Sequence, residues 1–254
     1  MKTVSVFSAL SFYLFFSMTA TAQQMPAPDL VRTLNCSLNP GITMGDAVEW
    51  GRNLPRDEYT PEAVYFREAI HHNSNFRDNF DFQIAWYHGT WEEYVMRLEG
   101  NRGGGLAFRQ LVRPGDIMTC DPGSDRLINS RPIPNLDVIE GDDSLMLTRL
   151  CFLNDDFGNQ DAYRWLLGAA ENFRRAGSTS LIQMNTRAAG PLTNLDFDRR
   201  GFVIQEVGST PGSLAARMDI VANGMAIGEG LEPVIRRCNY PVLWRTHIIY
   251  EAPA

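Results

Sequence analysis

Along residues 80–87, FDFQIAWY, apolar and polar side chains alternate: Phe80, Phe82, Ile84 and Trp86 share one face, and Asp81, Gln83, Ala85 and Tyr87 the other. That period of two predicts a strand with one face buried. Residues 201–207, GFVIQEV, repeat the pattern at an offset of 120, placing Phe202 on Phe82 and Ile204 on Ile84. A second correspondence lies upstream. Cys36–Trp50, CSLNPGITMGDAVEW, and Cys151–Trp165, CFLNDDFGNQDAYRW, agree without a gap at six of fifteen positions, at an offset of 115. Average residue usage gives roughly one such match by chance, so the chain carries an internal duplication.

Both copies predict the same elements in the same order. Leu30–Leu38 and Leu145–Leu153 read as first strands, each followed by a helix. In copy one that helix is capped by Thr43 with Asp46 three residues on; in copy two its predicted cap is Asn159. Residues 63–71, rich in Val, Tyr, Phe and Ile, read as a strand, and so do residues 180–185, SLIQMN, which lack a helix start. The two alternating strands follow, and after them helices that start at Thr90 with Glu93 and at Thr210 with Pro211. Arg97 and Arg217 match within these helices. Glycine-rich loops 100–105 and 223–230 lead to terminal strands near 127–132 and 243–250.

Strand, helix, strand, strand, helix, strand is the order of the split βαβ motif. The expected fold is therefore α+β: two tandem ferredoxin-like (βαββαβ) repeats whose sheets face each other as a pseudo-dimeric α/β barrel. The expected boundaries are a signal peptide over 1–22, repeats over 23–133 and 144–254, and a Pro/Gly/Asp-rich linker over 134–143.

The leader is read from Lys2, the apolar run Val4–Met18 and the small residues Ala20-Thr21-Ala22. It predicts a soluble periplasmic or secreted product starting at Gln23, with no membrane attachment after cleavage. Net charge is −7 for the full chain and about −8 once Lys2 is removed, which argues against nucleic acid as a partner. Lys2 is the only lysine, so Schiff-base and P-loop chemistries are excluded from the mature chain. Four cysteines, Cys36, Cys120, Cys151 and Cys238, allow three disulfide connectivities. If each copy folds as a unit, the duplication selects Cys36–Cys120 and Cys151–Cys238, and a monomer would be its own pseudo-dimer.

The Cys-x-Leu-Asn…Asp-Ala…Trp segment, the Phe-Asp-Phe-x-Ile strand before a Thr-capped helix and the late Cys resemble uncharacterised exported bacterial proteins of the dimeric α/β-barrel superfamily. That resemblance spans most of residues 30–253 and rests on structural motifs. It implies a barrel of two ferredoxin-like units. The activities it brings with it range from cofactor-independent oxygenation and haem-dependent reactions to simple ligand sensing, so fold alone selects no chemistry.

Candidate chemistry is sparse. His71 and His72 are adjacent on a strand and face opposite ways, so no metal site is expected there. His88 precedes a helix N-terminus, where a neutral imidazole is favoured, and its counterpart is Gly208. His247 lies mid-strand and is the one residue suggesting a haem ligand. Glu206 takes the place of Trp86 on an apolar face, so it either points into a cavity or pairs with an arginine. Asp142-Asp143 and Asp155-Asp156 lack calcium-loop spacing, and the glycines at 103–105 follow a helix rather than a strand. The sequence leaves the cofactor unknown. The expected function is noncatalytic binding of a small apolar or aromatic ligand between the two sheets, by Phe82, Trp86, Phe202, Glu206 and His247. The alternatives are an oxygenase-like or haem-using enzyme of the barrel superfamily, or a structural or interaction protein.

Overall fold

A computed structural model describes residues 25–71, 80–102, 115–134, 143–190 and 200–252. The leader, His72, the glycines at 103–105, Asp142 and most of the expected linker lie outside the described residues. Ten strands form a single antiparallel sheet: β1 (Asp29–Leu38), β2 (Ala63–His71), β3 (Phe82–Tyr87), β4 (Met118–Cys120), β5 (Arg126–Pro132), β6 (Asp143–Leu153), β7 (Leu181–Ala189), β8 (Gly201–Val207), β9 (Ile235–Cys238) and β10 (Val242–Glu251). The helices among the described residues are α1 (Met44–Arg52), α2 (Trp91–Arg102), α3 (Asn159–Arg175) and α4 (Pro211–Ala222).

The sheet runs β10-β2-β3-β1-β5-β7-β8-β6 and returns to β10 through the β6–β10 pairing. It is a closed eight-stranded antiparallel β-barrel, with β4 and β9 as short additions beside β1 and β6. This corrects the expected fold of two tandem ferredoxin-like repeats forming an α/β barrel by stacking separate sheets. The open edges of the two halves hydrogen-bond to one another, β2 with β10 and β5 with β7. Closure removes the unpaired edges that two stacked sheets would leave exposed.

Local chemistry sets the elements. Thr43 accepts from the Asp46 amide at 3.2 Å while the Asp46 carboxylate accepts from the Thr43 amide at 2.8 Å, a capping box that starts α1. In α3 the cap is Gly158 and Asn159 is the first helical residue, a shift of one from the predicted start. Cys36 lies opposite Cys120 in the β1–β4 register, and Cys151 opposite Cys238 in β6–β9. Both pairs are disulfide-bonded, so each bond stays within one half. Bonds of this kind belong to an oxidising compartment outside the cytosol.

Register and alternation place every strand residue inside or outside the barrel. Phe82, Ile84 and Trp86 face outward with Cys36, Leu34, Val64 and Phe66, forming a core with Ala47 and Val48 of α1. Phe202 and Ile204 face outward with Cys151, Ile182 and Met184, against Ala162, Leu166 and Phe173 of α3. The lumen receives the opposite face, and much of it is polar: Asn35, Arg67, Gln83 and Tyr87 from one half, Gln183, Asn185 and Gln205 from the other. Hydrophobic layers lie outside the barrel, and the lumen combines these polar residues with an apolar cluster of Met146, Val207, Val242 and Trp244.

Candidate functional site

The two halves diverge most where the third strand of each meets its second helix. In the first half β3 continues its outward face into His88, directly before the turn at Gly89 (φ 69°) and the Thr90 cap of α2. The Glu93 carboxylate accepts from the Thr90 amide at 2.7 Å, and Thr90 Oγ1 accepts from the Glu93 amide at 3.2 Å. His88 is held by its backbone: its amide donates to the Leu30 carbonyl at 2.9 Å, and its carbonyl accepts from Arg97 at 2.8 Å. The side chain is only 2% exposed, yet among the described residues neither Nδ1 nor Nε2 has a hydrogen-bond partner, and the buried Trp86 Nε1 two residues earlier has none either.

An imidazole always carries at least one N–H, and an indole N–H only donates. Leaving such groups unpaired in the interior costs about 1–3 kcal/mol each. Three unpaired ring nitrogens on one strand face are therefore groups awaiting a partner. Burial pushes His88 down to about 3, and the nearby cations Arg97 and Arg32 push the same way. It is thus neutral at physiological pH and presents one donor and one acceptor. The Tyr94 ring of α2 meets it edge-on at 5.0 Å, and the Arg32 guanidinium lies 5.2 Å from the Trp86 ring centre. Arg32 is itself held bidentately by Asp125, at 2.9 and 2.6 Å. No side chain of α2 described by the structure is fully buried, and Trp91, Val95 and Met96 are exposed.

In the second half the same positions are closed. Glu206, equivalent to Trp86, is 2% exposed and accepts from Arg149 at 3.1 Å and from Arg217 at 3.5 Å. Arg217, equivalent to Arg97, is 1% exposed and also donates to Ser178 Oγ (2.9 Å) and the Ser180 carbonyl (2.6 Å), with its guanidinium over Phe173. The equivalent of His88 is Gly208, where a Cβ would come within 2.4 Å of the Thr210 carbonyl oxygen. The second half has no room for that imidazole.

The predicted ligand residues therefore separate. Phe82, Trp86, Phe202 and Glu206 all lie outside the barrel, under helices, because the alternation that marks a buried face does not say what buries it. Phe82 and Phe202 are packed core residues of different halves. Glu206 is an ion-pair residue. His247 faces outward into an open cleft of about 610 Å³, lined by Gly45, Val48, Glu49, Arg52, Asn53 and Asp143. Both its ring nitrogens face carboxylates, Nδ1 with Asp143 at 2.8 Å and Nε2 with Glu68 at 3.5 Å. Only Trp86 belongs to the candidate site. Its partner there is His88, which in sequence reads as a helix-terminal imidazole and is marked out only by its mismatch with Gly208.

No protein-family model matches the chain, and no curated protein matches it in sequence. Some solved structures are weakly similar. A candidate monooxygenase from Fusobacterium nucleatum subsp. nucleatum superposes with a TM-score of 0.49 at 10% identity, over 89% of this chain and 94% of that one. An anthrone oxidase-like protein gives 0.46 at 13% identity, over 92% and 97%. The encapsulated DyP-type peroxidase of Mycobacterium smegmatis gives 0.44 at 8% identity, over 88% and 94%. Likeness of this degree assigns neither a family nor an activity to this chain.

Proposed function

We propose that this protein is an exported, noncatalytic binding protein. Its ligand is a small aromatic molecule bearing a carbonyl or hydroxyl oxygen, held between β3 and α2 of the first half. The observation that carries this reading is the set of unpaired buried ring nitrogens, Trp86 Nε1 with His88 Nδ1 and Nε2. In the equivalent layer of the second half Glu206 and Arg217 pair on the same scaffold, and the unpaired ring nitrogens of Trp86 and His88 have no counterpart. An oxygen acceptor on the ligand suits the indole N–H, and the neutral imidazole supplies a donor or an acceptor as required. The exposed apolar residues of α2 support entry from that side. A barrel closed within one chain leaves no sheet edge that demands a partner, which supports a monomer. The disulfides and the apolar leader support a periplasmic or secreted location.

Native mass spectrometry of the protein from its producing cells reads any retained ligand, and 1-naphthol titration followed by tryptophan fluorescence reads the site directly. Saturable quenching is expected in the wild type, with loss of at least about tenfold in affinity in Trp86→Phe and in His88→Leu. Glu206→Gln should bind as the wild type does. Equal loss in all three variants, or no saturable binding by a panel of hydroxylated aromatics and no retained mass, would reject the reading.

A further inference from the structure

The barrel lumen buries a cation that no carboxylate among the described residues pairs with. Arg67 points inward from β2, opposite Thr246 of β10 and Gln83 of β3, and is 5% exposed. One terminal nitrogen donates to the Tyr87 hydroxyl at 2.9 Å and the other reaches Gln83 Oε1 only at 3.5 Å, while Nε has no acceptor. Among the described residues no carboxylate is ion-paired with it. Glu251 accepts from the Tyr65 hydroxyl at 2.5 Å and makes no ion pair with Arg67, and Glu68 faces outward to His247.

Guanidinium does not lose its proton in a protein, so burial cannot neutralise Arg67 as it neutralises His88. A charge at this depth calls for an opposite one. Two luminal hydroxyls, Thr246 Oγ1 and Ser130 Oγ, are also buried with no partner, and the adjoining luminal positions Thr33 and Ala85 are small. An eight-stranded barrel has room for side chains or for one small ligand. We infer that the lumen binds a compact monovalent anion, of the size of a halide, nitrate or short carboxylate, against Arg67 Nε with Thr246 as a second donor. The register-equivalent of Arg67 in the second half is Asn185, which donates to Gln205 at 3.1 Å; Gln205 in turn donates to Gln183 at 2.5 Å. That neutral amide chain needs no ion. Arg67 lies on the opposite face of the sheet from Trp86 and His88, so the failure of either site leaves the other standing.

The oxidised protein, dialysed into gluconate buffer, is titrated with bromide, nitrate or acetate at constant ionic strength while the thermal midpoint is followed. At least one anion should give a saturable rise of more than about 3 °C. Arg67→Gln should lose the saturable part. Should that variant not fold, Thr246→Val reads the same site and should weaken the apparent affinity about tenfold. Response to bromide and nitrate marks a free inorganic ion as the occupant, and response to acetate alone marks the carboxylate of an organic acid. A wild-type response that is non-saturable and alike for all three salts overturns the inference. So does a saturable response retained in full by Arg67→Gln or, where that variant does not fold, by Thr246→Val.

Discussion

The layer under α2 and the layer under α4 are built on one plan and finished differently. Both begin with a Thr cap whose hydroxyl accepts from the amide three residues on, and both send an arginine from the helix back toward the strand. In the second half that arginine meets Glu206 and is held further by the Ser178 hydroxyl and the Ser180 carbonyl. In the first half Trp86 and His88 stand in the place of Glu206 and Gly208, and their ring nitrogens have none. The lumen repeats the contrast, with Arg67 uncompensated and Asn185 bonded into an amide chain. Stability is served by completing such networks; binding requires that one be left incomplete. Copies of one motif within a single chain can divide these two tasks.

The largest expected effect tests whether the scaffold is shared equally. The disulfides close loops of 84 and 87 residues, so removing either by a Cys→Ser pair should cost about 4–5 kcal/mol in the chain-entropy model, and nearly the same in both halves. Denaturant midpoints check this, and a clear inequality would mean that the halves do not fold as comparable units. Glu206→Ala strands a buried arginine and should cost about 3 kcal/mol by the same measurement. Arg97→Ala loses the 3.7 Å pair with half-exposed Glu62 and the hydrogen bond to the His88 carbonyl, and should cost about 1–2 kcal/mol.

The histidine sharpens the contrast through pH. The folded His88 resists a proton that the unfolded chain accepts below about pH 6.5, so stability should fall as pH drops from 6.5 toward 3. The slope approaches about 1.4 kcal/mol per pH unit, a loss of about 2–3 kcal/mol by pH 4.5. His88→Leu should flatten that slope, measured by urea unfolding at several pH values, and an unchanged slope would show that the ring is hydrated in solution. The smallest effects are expected at the caps: Thr90→Ala and Thr210→Ala should each cost about 1 kcal/mol. Unequal losses there would show that α2 and α4 contribute unequally to the fold.

Much of this was legible in the sequence. The duplication marked the paired strands and helices, the capping residues and the two disulfides, because each is local or tied to repeated positions. Closure was not legible. Pairing of β2 with β10 and of β5 with β7 joins segments that the repeat does not relate. Gln83, Asn35 and Gln205 did carry a signal, since polar residues on the second face of a strand argue against an apolar sheet-to-sheet contact. The candidate site was half legible. Aligning Trp86 with Glu206 located the divergence, but Glu206 drew attention as the anomaly, and only three-dimensional pairing showed that the acid was satisfied and the indole was not.

The ring closes through β10, whose residues 242–251 lie between β2 of the first half and β6 of the second. Ala63 waits for Glu251 across almost the whole described chain. Until that strand arrives, β2 and β6 both present bare hydrogen-bonding edges, open to pairing with another molecule. Long-range closure of this kind is slow, and the intrahalf disulfides can form before it. Nascent chains should therefore be most prone to swap strands or aggregate while already oxidised and one strand short of a barrel.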